Sequence, residues 1–181
     1  MGDDDGISAF AASSGAECST RASSAAEGLR VDFYVIEESA PDARLRVACR
    51  LAEKAYLASQ RALIWHTDRV ELEALDGLLW TFADGSFVPH DWLTSNATEA
   101  PVLLAVGSPP AEAFDFVVNL AADPPPFLHL TRRIAEIIDG DEGRRRAGRA
   151  RFKAYRELGI QPTSHALRAG LTGFAGSEPR P

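Results

Sequence analysis

Cysteine and long apolar runs are scarce in this chain of 181 residues, and each scarcity excludes a class of protein. The two cysteines, Cys18 and Cys49, stand far apart, with no CxxC pair and no histidine at ligand spacing. This pattern argues against a disulfide framework and a structural zinc site, and it indicates the reducing environment of the cytoplasm. No apolar run approaches the roughly twenty residues of a membrane-spanning helix, so we expect no membrane partner.

The motifs that bind nucleotides or catalyse hydrolysis are absent as well. Neither GxGxxG nor GxxxxGKS/T occurs, so no glycine-rich loop is available to surround a phosphate. GxSxG and HExxH are also missing, and His66, which Asp68 follows closely, has no candidate nucleophile beside it. We therefore expect no catalytic site, no metal, no cofactor and no small-molecule substrate.

The chain does have the composition of a globular domain between two biased ends. Hydrophobic residues make up 45% of it and charged residues 25%, which is ordinary for a folded protein. Residues 1–28 are rich in Ala, Ser and Gly and predict a disordered N-terminal extension. Residues 29–165 are expected to form one α/β domain, and residues 166–181 a flexible C-terminal tail.

Runs of β-branched and aromatic residues alternate with amphipathic segments along this domain. The pattern predicts strands at 31–37, 61–66, 102–107 and 114–121, and helices at 42–59 and 70–80. Asp68 and Glu71 stand as a capping box before the second helix. Residues 133–138, RIAEII, fit either a strand or a helix. The alternation predicts a Rossmann-like α/β fold, a mostly parallel sheet flanked by helices, without a nucleotide-binding loop.

A concentrated basic stretch follows this pattern. The thirteen residues from Arg144 to Arg156 contain six Arg, one Lys and no acid. Because they contribute +7 to a chain of net charge −7, all other residues together carry −14. We predict a helix over 141–158 that ends at Gly159 and Pro162.

On this helix, an arc of about 100° collects four cations and one aromatic side chain: Arg145, Arg149, Phe152, Lys153 and Arg156. The opposite stripe is predicted to pack on the sheet and consists of Ala147, Ala150, Ala154 and Leu158. Gly148 suggests a close approach of the backbone to a neighbour. The simplest interpretation is a solvated surface helix.

The missing acids favour an anion-binding face instead, because the cations have no partners on their own helix. One possible ligand is a nucleic-acid strand, on whose bases the aromatic side chain stacks. The other is an acidic peptide, whose carboxylates the arginines clamp and whose apolar side chain enters a pocket. The charge of −14 elsewhere repels a long polyanion but hardly affects a short peptide, so the pattern favours the peptide.

A second unusual segment, residues 75–93, is crowded with aromatic residues around a loop. These are Trp80, Phe82, Phe87 and Trp92. Such side chains either fill the core or form an exposed patch for a partner. For Phe82 and Trp92 both interpretations stay open.

Four motifs occur together and in order along the domain. They are the FY pair of the first strand, LDGLLW at 75–80, FVPH beginning seven residues after Trp80, and RFKAYRELG at 151–159. From about Val31 to Gly159 the chain thereby resembles the chi subunit of the bacterial DNA polymerase III holoenzyme. The stretch AADPPPFLHL at 121–130 departs from the family pattern.

The resemblance implies a Rossmann-like fold in a non-catalytic accessory subunit of the clamp-loader complex in DNA replication. Such subunits grip the acidic C-terminal tail of single-stranded-DNA-binding protein and pair with the psi subunit. Carried over by position, the tail is received by Arg145, Arg149, Phe152, Lys153 and Arg156. The psi contacts are Trp80, Phe87, Val88, Pro89 and His90. Two alternatives remain: a substitute partner such as a helicase at the second site, and direct single-stranded nucleic-acid binding by the basic helix, residues 144–156.

Overall fold

The computed structural model describes residues 28–37, 42–94 and 99–167. Nearly all of the expected N-terminal extension and most of the expected tail lie outside these residues. Within them, seven strands and three α-helices follow one another. In chain order the elements are β1 (Arg30–Ile36), α1 (Ala43–Leu57), β2 (Ala62–His66), α2 (Arg69–Leu79), β3 (His90–Trp92), β4 (Val102–Val106), β5 (Phe114–Asn119), a 3₁₀ turn (Leu128–Leu130), β6 (Thr131–Ile138), α3 (Glu142–Glu157) and β7 (Thr163–Leu167).

The strands form a single sheet in the order β3–β4–β2–β5–β6–β1–β7, and every neighbouring pair is parallel. The expected α/β fold with a parallel sheet is thereby confirmed. Residues 133–138, which fitted either a strand or a helix, belong to β6 between β5 and β1. A parallel strand between two others is covered on both faces, which explains its nearly continuous apolar run.

The two edge strands were not predicted from the sequence. β3 has three residues, and β7 is the largely exposed run TSHAL. An edge strand buries only part of its surface, so neither segment carries the apolar run that marks an interior strand. β7 also includes Ala166 and Leu167, the first two residues of the segment expected to form the tail.

Helices cover the two faces of the sheet unequally. α1 and α2 pack on one face, where their apolar side chains meet those of β2, β5 and β6. On the other face α3 covers β1 and β6, and the loop after β5 covers the remainder. Phe127 of that loop packs edge-on against Trp65 of β2, with ring centroids 5.6 Å apart. The stretch that departs from the family pattern therefore completes this face of the core.

The start of α2 confirms one half of the predicted capping box. The side chain of Asp68 accepts a hydrogen bond from the backbone N–H of Val70 at 2.8 Å. Glu71 does not complete the box with a bond to Asp68; its carboxylate accepts a hydrogen bond from Nη1 of Arg44 at 2.8 Å. A tertiary ion pair thus replaces the local contact.

The rotation of α3 differs from the prediction. Its buried residues are Gly148, Arg151 and Tyr155, whereas Ala150, from the stripe expected to pack on the sheet, is exposed. The close approach expected at Gly148 is confirmed, because a Cβ built there would lie 2.9 Å from Cγ1 of Ile138 and closer still to Cδ1. The helix therefore turns its glycine, an arginine and a tyrosine towards the sheet.

The contact at Gly148 generates a stability prediction. Gly148→Ala gains about 1 kcal/mol of helix propensity but crowds Ile138, and overpacking costs about 1–3 kcal/mol. We expect a net fall in the free energy of unfolding, measured by urea denaturation. The matched control is Gly77→Ala in α2, where a Cβ meets nothing within 4 Å and the unfolding free energy should rise by up to about 1 kcal/mol. An equal rise for both variants would contradict the close packing.

An ionic cluster joins β7 to the sheet. Asp32 of β1 is fully buried, and its carboxylate accepts a hydrogen bond from Nε of Arg133 at 2.7 Å and lies 3.0 Å from Nε2 of His165 in β7. Burial alone would raise the pKa of Asp32, but hydrogen bonds from His165, Arg133 and Arg30 outweigh it and lower that pKa. The ring of His165 also stacks on Tyr34, with centroids 5.2 Å apart.

A lowered pKa in the folded state means that Asp32 contributes stability above the unfolded pKa of about 4 and loses it as the pH falls further. Asp32→Asn should lower the free energy of unfolding by about 2 kcal/mol at neutral pH. The difference from wild type should shrink as the pH falls below about 4, because the wild-type carboxyl then takes up a proton. Denaturant titrations across this range measure it, with the exposed Asp84→Asn as the control. A difference independent of pH would show that the charge of Asp32 is not what joins β7.

Candidate partner-binding surfaces

α3 presents its cations along one exposed flank. The four cations predicted for this face are all exposed: Arg145, Arg149, Lys153 and Arg156. Phe152 is half-buried among them, and its ring packs against Phe33 of β1 with centroids 5.2 Å apart. Together with Phe152, the four cations are called the basic surface below.

A shallow hollow of ≈ 340 Å³ opens on the basic surface, lined by Arg149, Phe152, Lys153, Arg156 and Glu157. The side chains of Arg149 and Arg156 make no hydrogen bond or ion pair with any residue that the structure describes. Nζ of Lys153 lies 3.6 Å from Oε1 of Glu157, but both side chains are largely exposed, and such pairs contribute about 0–1 kcal/mol. The hollow therefore combines an aromatic side chain with cations that few acids of the same fold neutralise.

Two other arginines of the basic stretch are neutralised and contribute nothing to this surface. Arg144 donates from Nε and Nη2 to the two carboxylate oxygens of Asp139, both at 2.8 Å, and this pairing raises the pKa of Arg144. Arg151 is buried, and its Nε lies 2.7 Å from the carboxylate of Glu136. The side chain of Arg145 donates from Nε to the backbone carbonyl oxygen of Asp139 at 3.1 Å and, among the described residues, forms no ion pair with an acid.

Sequence reasoning missed the partner of Arg151. The only signal was Glu136 itself, a lone acid inside the apolar run RIAEII. A carboxylate within a buried strand requires hydrogen-bond donors from elsewhere in the fold, so a cation facing β6 could have been expected.

An exposed aromatic pair lies at the end of α2. The rings of Trp80 and Phe87 have centroids 5.6 Å apart, and the two residues are 55% and 61% exposed. Pro89 is half-buried. By contrast Val88 is 1% exposed, and the imidazole of His90 is 1% exposed beneath Trp80, with ring centroids 4.9 Å apart. The most accessible of the expected psi contacts are therefore Trp80 and Phe87, which are called the aromatic surface below.

The buried members of this segment support the exposed ones. His90 donates from Nδ1 to the carbonyl oxygen of Val88 at 2.7 Å, and its Nε2 lies 3.3 Å from Oδ1 of Asp76. Of the two aromatic side chains left open by the sequence, Phe82 is buried in the core. Trp92 is half-buried, with the guanidinium of Arg69 4.8 Å above its ring.

A nucleotide or catalytic site in a parallel α/β fold would lie at the carboxyl ends of the strands. A crevice of ≈ 560 Å³ lies there, and each of the two arginines that line it is paired with an acid: Arg44 with Glu71, and Arg144 with Asp139. His66, at the end of β2, accepts a hydrogen bond on Nδ1 from the backbone N–H of Asp68, and burial lowers its pKa. These contacts give His66 a structural role at the start of α2.

Residues 28–37, 42–94 and 99–167 hold no candidate metal site and no candidate membrane span. They contain no group of three or more His, Cys, Asp or Glu side chains placed to hold a metal ion. They also contain no helix that is long and apolar enough to cross a membrane.

Comparison with known proteins identifies the family of the chain. The family model of the DNA polymerase III chi subunit, HolC, matches residues 29–163. The DNA polymerase III subunit chi of Pseudomonas aeruginosa is 41% identical over 138 residues, which are 76% of this chain and 96% of the relative. The subunit chi of Haemophilus influenzae is 26% identical over 130 residues, 70% of this chain and 90% of the relative.

Among solved structures, T4 UvsW superposes with a TM-score of 0.58 at 8% identity, over 78% of this chain and 42% of that one. A likeness at this identity concerns the fold alone. The family model and the Pseudomonas relative extend over most of the chain, and both surfaces described above lie inside the matched region. The chain therefore belongs to the family of DNA polymerase III chi subunits.

Proposed function

We propose that this chi-family protein is a non-catalytic adaptor that links DNA polymerase III to single-stranded-DNA-binding protein in the cytoplasm. Its basic surface binds the acidic C-terminal tail of that protein. Its aromatic surface pairs with the psi subunit of the clamp loader, or with a substitute such as a helicase where psi is lacking.

The observation that carries the first part is the set of unneutralised cations beside a half-buried aromatic ring. The guanidinium groups of Arg149 and Arg156 have no partner in the described part of the chain, and both residues line the hollow beside Phe152. Guanidinium groups bind carboxylates through paired, charge-assisted hydrogen bonds, and an aromatic wall accepts an apolar side chain. An acidic peptide that ends in Phe matches both features.

The expected affinity follows from simple terms. Burying a Phe side chain of the ligand contributes roughly 2–3 kcal/mol. Two or three charge-assisted hydrogen bonds add about 1.5–3 kcal/mol each. After the costs of association, a dissociation constant of about 1 μM is within reach. The residues outside 144–156 carry a net charge of −14, which disfavours a long polyanion more than a short peptide.

The peptide site predicts the effect of removing one free cation. Arg149→Ala should weaken binding of a short acidic peptide with a free C-terminal Phe about tenfold or more, because charge-assisted hydrogen bonds are lost. Fluorescence anisotropy with the labelled peptide measures the change. The matched control is Arg46→Ala, which alters the net charge equally on the opposite face, where Arg46 is exposed on α1. The control should bind within about twofold of wild type.

Removing the terminal Phe from the peptide should also weaken binding, since the hollow would lose its apolar ligand group. Equal binding of the full and truncated peptides would contradict the assignment of the hollow as the site of the terminal Phe. Tight binding of a single-stranded oligonucleotide at physiological salt, with log K falling by about 0.7 per neutralised phosphate for each decade of salt, would favour direct nucleic-acid binding instead.

The exposure of the aromatic surface predicts a variant that loses psi binding but keeps its fold. Phe87→Ala should leave the melting temperature nearly unchanged, because Phe87 is 61% exposed, and should weaken binding to purified psi subunit about tenfold or more. Leu57→Ala, which truncates another exposed apolar side chain outside the surface, is the matched control. Calorimetric titration and thermal melts measure both quantities. Unfolding of Phe87→Ala, or unchanged psi affinity, would remove Phe87 from the contact.

A further inference from the structure

One carboxylate lies beneath the basic helix and is surrounded by hydrogen-bond donors. Glu136 of β6 is fully buried. Its Oε2 accepts from Nε of Arg151 at 2.7 Å, and its Oε1 accepts from the hydroxyl of Tyr155 at 2.6 Å and from Nδ2 of Asn119 at 2.9 Å. Arg151 also donates from Nη1 to the carbonyl oxygen of Ala122 at 2.8 Å. Both charges of this network are therefore fully occupied inside the protein.

The residues of this network lie on a different side of α3 from its apolar stripe. Small apolar residues form one stripe, and the residues that face the sheet form another, about 90° around the helix at 100° per residue. The apolar stripe consists of Ala147, Ala150, Ala154 and Leu158. The observed buried set is Gly148, Arg151 and Tyr155, while Ala150 and Leu158 are exposed. Hydrophobicity alone would thus have selected another rotation.

The rotation decides where the basic surface lies. In the observed one, Phe152 rests against Phe33, and Arg149 and Arg156 stand on the flank beside it. With the alanine stripe turned to the sheet, Phe152 would point away from the sheet and lose the support of Phe33. The cations would remain exposed, but without an aromatic wall fixed next to them.

Gly148 permits the observed rotation without selecting it. Its missing side chain allows the close approach to Ile138, yet a glycine also fits a helix face turned to solvent. The ion pair is different, because a buried Glu136 without a cation leaves an uncompensated charge. Buried ionic groups of this kind often add little stability over an apolar pair, and their best-attested use is to specify register.

We propose that Glu136 and Arg151 are positioning residues, which fix the rotation of α3 and thereby assemble the hollow of the basic surface. They touch no ligand and act through Phe152. The peptide-binding test of this role rests on the proposed function, whereas the test of the helix rotation rests on the structure alone.

The test replaces the ion pair by an apolar pair of similar size, Glu136→Leu with Arg151→Leu, in a Tyr155→Phe background, because the buried hydroxyl of Tyr155 would otherwise lose its acceptor. Such replacements often keep or raise stability, so the free energy of unfolding should not fall. Binding of the acidic, Phe-terminated peptide should nevertheless weaken about tenfold or more, because Phe152 is no longer held. Tyr155→Phe is the matched control, since it removes one hydrogen bond from the network but keeps the ion pair. It should bind within about twofold of wild type.

A second measurement reports the rotation directly and needs no ligand. In a Cys18→Ser background, Ala150→Cys places a thiol on an exposed position of α3, whereas Cys49 is buried. A thiol reagent should modify this position at least about tenfold more slowly in the double-leucine variant, where the alanine stripe turns inward. Glu136→Gln, which keeps the shape but not the charge, should also slow the reaction.

The outcomes separate the two proposals. Full peptide affinity and unchanged thiol reactivity in a folded double-leucine variant would overturn the positioning role. Failure of that variant to fold would also count against it, because the pair would then be required for folding rather than for selecting a rotation. If the wild-type protein binds no acidic peptide, the proposed function fails, and the thiol measurement still decides the present inference.

Discussion

The buried carboxylate of Glu136 is the constraint on which the packing of α3 against the sheet depends. An ionised group taken out of water costs several kcal/mol unless donors surround it. Asn119, Arg151 and Tyr155 supply those donors from β5 and α3. α3 therefore approaches the sheet with a polar seam, and its close contact at Gly148 follows the same geometry. The place of Phe152 beside the free cations is a consequence of this seam.

The two candidate surfaces lie on opposite faces of one parallel sheet. The basic surface belongs to α3, and the aromatic surface to the end of α2. They share no residue and differ in chemistry, cationic on one face and apolar on the other. Because a rigid sheet separates them, occupation of one face leaves the other accessible. This arrangement suits a protein whose proposed task is to hold two partners at once.

Residues with a strong local signal behaved as predicted. Apolar runs marked the interior strands, and the capping position of Asp68 marked the start of α2. No apolar run marked β3 and β7, because an edge strand does not need one. Likewise, nothing local marked Val88 and the imidazole of His90 as buried while Phe87 beside them stays exposed. Only tertiary packing distinguishes them, of Val88 within the core and of His90 against Trp80 and Asp76.

The sequence alone determined that the chain has a parallel α/β fold of the chi family and a helix dense in arginine. It also placed Arg149, Phe152, Lys153 and Arg156 on one side of that helix, since helical periodicity fixes which side chains share a face. It did not determine which face meets the sheet. In the tertiary structure Gly148, Arg151 and Tyr155 face the sheet, and Asp139 and Glu136 of the preceding segment pair with Arg144 and Arg151. Periodicity relates side chains within one element, whereas the removal of a charge depends on the groups that tertiary structure places against it.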